Sequence, residues 1–171
     1  MGSVSDATEL GIAGIIDSIR KLHDRFQGNR ILRRFEDSSS VDPQLRVRLQ
    51  DLFEGRFDAV ESGQKVDALY QGIEALMSYC RVVRDVVLPA ARKTVGSRPA
   101  MTGLDAQSRV LLQMTLQALP QNLREYCDRL TDLVVAVRRR DLEIHGEREA
   151  VIRRYPGVAT GLRELIEWSA A

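Results

Sequence analysis

Three stretches of this sequence carry apolar residues in one shared rhythm. They predict an all-α protein, an antiparallel bundle of four to five long helices plus one or two short helices. The first stretch holds Ile12, Ile15, Ile16, Ile19, Leu22, His23 and Phe26. The second holds Val66, Leu69, Tyr70, Ile73, Leu76, Met77 and Cys80, and the third Leu123, Tyr126, Cys127, Leu130, Leu133, Val134 and Val137. Each repeats the same steps, a stripe wider than a bare coiled-coil seam and suited to helices packed on several neighbours. Composition agrees. Aromatic residues are only 5% of the chain, so the core must be aliphatic, which favours helices over a β-sandwich. With 171 residues, 44% hydrophobic and 29% charged, a single domain over 1–171 is expected, with residues 1–5 standing apart from it.

The elements follow in order. The first stripe makes a long helix containing Gly11 and Gly14, each costing helix stability by about 1 kcal/mol relative to alanine. Such glycines suit either close packing or a helix able to detach. A short helix is expected over Arg30–Glu36, pairing Ile31 with Phe35. After the polar Asp37–Ser40 linker, Asp42-Pro43 is an N-cap followed by proline at the first helical position. The helix it opens is expected to run to about Ser62, with Leu45, Leu49, Leu52, Phe53, Phe57 and Val60 on one side, and to end at Gly63. The next helix starts near Gln64, and Pro89 should kink or split it. Ser97–Gly103 reads as a loop. Arg109–Leu119 is apolar almost all round, so a central helix is expected there, with a break or kink at Pro120. The third stripe then runs to Gly146, a natural stop after His145. Tyr155–Val158 reads as a turn before a last helix carrying Val158, Leu162, Leu165 and Trp168.

Tyr-Cys occurs twice, at Tyr79-Cys80 and Tyr126-Cys127, each with an aspartate five residues after the cysteine. Aligning the stripes requires an offset of 57 residues, Val66 onto Leu123, whereas the Tyr-Cys pairs match at 47. A duplicated unit would give one offset, so the pairs reflect shared helical packing rather than an internal repeat.

Catalytic classes fall away one by one. Di-iron bundles need Glu-x-x-His on two helices, and neither His23 nor His145 has glutamate three residues before it. Cys80 and Cys127 are far apart in sequence, without Cys-x-x-Cys or His-x-x-x-His spacing, so zinc is not expected and both thiols should be buried and free. His23-Asp24 lacks the further histidines of metal-dependent phosphohydrolases and the Lys-Gly of phosphotransfer bundles. Glu125 and Asp128 match half of an all-α pyrophosphatase motif, but the upstream Glu-x-x-Glu is missing. Asp141, His145 and Glu149 would share a face only if the helix continued through Gly146. No phosphate loop, nucleophile elbow or dinucleotide fingerprint occurs. No enzyme activity, no metal and no cofactor is expected.

A non-catalytic helical interaction module remains: an adaptor, an assembly- or secretion-type chaperone, or a regulator binding a protein partner, a second copy of the chain being one candidate. Three features are candidate partner-binding surfaces. Asp51, Glu54, Asp58 and Glu61 form an acidic stripe suited to a basic partner. Ile12, Ile15, Ile16 and Ile19 could serve a detachable first helix that engages a partner or, as an alternative reading, a membrane surface. Arg30, Arg33 and Arg34 form the third, within a bias of 22 arginines to three lysines. Nucleic acid is the weaker partner: net charge is only +1, no aromatic residues interleave the arginines, and Arg138–Arg140 point in three directions around a helix. No apolar run reaches the length of a membrane span, and the start MGSVSDATEL has no basic or apolar signal region, so a cytoplasmic location is expected.

Overall fold

The computed structural model describes residues 4–38, 42–55, 63–146 and 155–170. It is an all-α helical bundle, with no strand among the described residues. The helices are α1 (Val4–Gly28), α2 (Arg30–Ser38), α3 (Pro43–Glu54), α4 (Gly63–Val82), α5 (Leu88–Val95), α6 (Arg98–Thr102), α7 (Ala106–His145) and α8 (Pro156–Ala170). Helix α7 is the axis. At 40 residues it spans roughly 60 Å, and α1, α2, α4, α5 and α8 all pack on it.

All three stripes face inward. Ile12, Ile16, Ile19 and Phe26 of α1 are buried, as are the full sets on α4 and α7. They form one main core that also takes Leu45, Leu49 and Leu52 of α3 and Val158, Leu162 and Leu165 of α8. Ile31, Ala91 and Leu112 form a separate, smaller core where α2 and α5 meet the first half of α7.

Several local expectations hold. Asp42 caps α3 by accepting the Gln44 N–H at 2.9 Å, and Gly146 stops α7 in the left-handed region (φ 69°), where only glycine is unstrained. Pro89 splits its helix: between α4 and α5 lies one π-helical turn, Val83–Val87, in which the Leu88 N–H reaches the Val83 carbonyl. The proline ring would crowd the carbonyl of residue 85, and the widened turn relieves that clash.

Five expectations are corrected. The first helix begins at Val4, so residues 4 and 5 belong to it. Helix α3 stops at Glu54, well before Ser62, because Gly55 turns to an extended conformation (φ −62°, ψ 138°); Phe57 and Val60 lie outside the described residues, and Gly63 opens α4 instead of closing α3. Ser97–Gly103 contains a short helix, α6, capped by Ser97. Pro120 does not break α7, since its missing N–H forfeits only one bond of a 40-residue helix held by packing. Arg109–Leu119 is not central: Val110 and Met114 are 56% and 61% exposed.

Candidate functional site

Two of the buried polar side chains, His23 and Glu36, line a cavity of about 360 Å³ between α1, α2, α3 and α4. Glu36 of α2 is buried there, with 4% of its surface exposed. The Tyr79 hydroxyl donates to Glu36 Oε1 at 2.7 Å, and Gln27 Nε2 donates to Oε2 at 3.2 Å. Beside them His23 lies edge-on to Tyr79 with ring centroids 4.6 Å apart, and 5.2 Å from Phe53. Its Nδ1 is 3.4 Å from the Tyr126 hydroxyl. Burial lowers the His23 pKa to about 4 despite the opposing pull of Asp24, so the ring is neutral near pH 7. Burial, then the Glu36 carboxylate, pushes the Tyr79 hydroxyl well above its ordinary value, so it stays a donor.

An N-capping side chain sets this corner. Asn29 Oδ1 accepts the N–H groups of Ile31 and Leu32 at 3.0 and 3.1 Å, which starts α2 directly after α1. Its Nδ2 donates to Thr115 Oγ1 of α7 at 2.8 Å, pinning the corner to the axis. Glu36 is thereby brought over α4 to meet Tyr79.

The two Tyr-Cys pairs, read from sequence as separate, face each other across α4 and α7. The Tyr79 and Tyr126 rings are 6.0 Å apart, and the Cys80 and Cys127 thiols lie close enough to influence each other's titration. Their proximity raises the pKa of Cys80 and lowers that of Cys127. Sequence distance therefore misled: the thiols are neighbours, both buried and both free. Asp141 and His145 also meet, Oδ1 to Nδ1 at 2.6 Å, at the end of α7. Glu149 lies outside the described residues. No group of three His, Cys, Asp or Glu side chains suited to a metal ion occurs among the described residues.

The structure scatters the candidate partner-binding residues. Ile12, Ile16 and Ile19 are buried in the main core and Ile15 is half-buried against it, so this stripe is docked within the chain. A Cβ at Gly11 or Gly14 would meet nothing within 4 Å, so neither glycine serves close packing. Asp51 and Glu54 are exposed on α3, Glu54 at the cavity mouth; Asp58 and Glu61 lie outside the described residues. Arg30, Arg33 and Arg34 are exposed on α2. Two features escaped sequence reasoning. Glu36, Gln27 and Tyr79 come from three helices and share no spacing. The outer face of α7 around Val110 and Met114 was misread as core, although its lack of charge was visible. No helix among the described residues is long and apolar enough to cross a membrane. No protein-family model, curated protein or solved structure matches the chain.

Proposed function

We propose that the chain is a non-catalytic helical interaction module that binds a protein partner through the outer face of the first half of α7. One observation carries the reading: no residue from Val110 to Leu123 is charged in a chain that is 29% charged, yet Val110 and Met114 stand more than half exposed. Val110, Met114, Gln117, Ala118 and Gln121 fall on one side of the helix by their three- and four-residue steps. Outward faces of solvated helices normally carry charge. A face without it desolvates cheaply, and methionine adapts its shape to a partner, so an apolar helix fits here. Arg30, Arg33 and Arg34 of neighbouring α2 would supply a charged rim. The reading takes the chain as cytoplasmic, where its two free thiols stay reduced.

The test is a double variant, Val110→Asp with Met114→Glu. Surface changes of this kind shift stability by about 0.5 kcal/mol or less, so folding should be kept. Partners captured from native cells, or self-association seen by sedimentation, should be lost. A partner kept by this variant but lost on charge reversal of Asp51 and Glu54 would move the docking surface to α3.

A further inference from the structure

We infer that the cavity between α1, α2, α3 and α4 binds a small uncharged carbonyl compound with an apolar body, its oxygen accepting a hydrogen bond from His23 Nε2. No residue of α7 lines this cavity, so the site is independent of the docking face proposed above. Its volume, about 360 Å³, is at the small end of the range for ligand pockets. Leu45, Leu49, Phe53 and Val82 give it apolar walls, and the Tyr79 ring adds another. Walls of this kind hold an apolar body, and a placed polar group then fixes its orientation.

His23 is that polar group. It lines the cavity with only 9% of its surface exposed. Its one hydrogen-bonding contact among the described residues is between Nδ1 and the Tyr126 hydroxyl, at 3.4 Å. Tyr126 is fully buried, burial holds its hydroxyl protonated, and His23 Nδ1 is its one acceptor among the described residues. The Tyr126 O–H therefore donates to Nδ1, which puts the proton of a neutral ring on Nε2. Burial keeps the ring neutral near pH 7. The two nitrogens point to opposite sides of an imidazole. Nδ1 is aimed at α7, and the cavity lies where α7 contributes nothing, so the Nε2–H turns into it. An apolar body seated there would strip that donor of water, so the ligand must bring an acceptor oxygen of its own. A neutral N–H offers a dipole and no charge. It offsets the modest desolvation of a carbonyl, but not that of an ion.

Acetophenone, α-methylstyrene and benzoate share one ring, and the second has the shape of the first without its oxygen. They are titrated near neutral pH while amide chemical shifts and the imidazole nitrogens are followed. Acetophenone should perturb amides of His23, Leu49, Phe53 and Tyr79 and bind about fivefold more tightly than α-methylstyrene, the worth of one neutral hydrogen bond. The imidazole spectrum should place the His23 proton on Nε2 before any probe is added. That proton should move downfield with acetophenone and not with α-methylstyrene. His23→Phe should make the two probes bind equally; where this variant does not fold, the imidazole signals of the unaltered chain decide. Equal binding of the two by the unaltered chain, tighter binding of benzoate, a proton on Nδ1 in the free protein, a preference that survives in His23→Phe, or no shift with any probe would overturn the assignment.

Discussion

The two halves of α7 live in different surroundings although they share one unbroken helix. From Leu119 to Val137 its inner face is in the main core, where Tyr126 meets His23 and Phe26 of α1 and Arg124 reaches the Ser169 carbonyl of α8. Its outer face there is conventional, with pairs such as Arg129–Asp132 in water. Before Leu119 the same helix offers Leu112 to Ile31 and Ala91 and leaves Val110 and Met114 in solvent. Continuity of a helix is not continuity of its core. The second half is fixed by burial on several sides. The first is fixed by a small core and one corner hydrogen bond, and Val110 and Met114 on its outer face stay in solvent.

That contrast can be broken at several points. The largest effect should come from Leu130→Ala, which opens a cavity in the main core and should cost about 2–5 kcal/mol in global stability. Leu112→Ala should cost nearer about 2 kcal/mol, since a smaller core relaxes more easily, and native-state hydrogen exchange should accelerate only in α2, α5 and the first half of α7. Faster exchange throughout the molecule with Leu112→Ala would mean the halves unfold as one. Next comes acid. His23 is held neutral to about pH 4, whereas its unfolded value is 6.5, so below 6.5 the unfolded chain takes up a proton that the folded one refuses. Stability should therefore fall as pH drops from 6.5 to about 4, by up to about 3 kcal/mol. Denaturant titrations of His23→Gln should lack this part of the slope while keeping the carboxylate part at lower pH. A smaller change is expected at the corner: Thr115→Val removes the acceptor of Asn29 and should cost about 1 kcal/mol, read as faster exchange in α2. The smallest should be a gain. Gly14→Ala on the exposed face of α1 should stabilise by about 0.5–1 kcal/mol in thermal unfolding, because its Cβ has open space. A loss there would show that α1 needs the glycine for motion.

The stripes made the bundle legible, because periodic apolar spacing states which face of each helix is buried. Asp42-Pro43 and Gly146 were legible for the same local reason: cap chemistry acts within a few residues. The cavity was not. Glu36, Gln27, His23 and Tyr79 are brought together by the α1–α2 corner, and that corner depends on Asn29 reaching Thr115, 86 residues away. The cysteines were misjudged similarly, since periodicity shows that both turn inward without showing that they turn to each other. The first half of α7 was misread because apolar content counts residues, while burial depends on what is available to cover them.

The separation of the two cores also decides what light can see. Tyr70, Tyr79 and Tyr126 are buried in the main core, and Tyr155 and Trp168 pack against it; these are all four tyrosines and the only tryptophan. The smaller core has Phe35 at its edge and neither chromophore. Tyrosine and tryptophan fluorescence therefore report on one end of the molecule and are blind to the other. Far-ultraviolet circular dichroism counts helix at both ends. If the first half of α7 melts separately, the dichroism transition should begin while fluorescence is still flat, and the interval between the curves reports how independently that half unfolds.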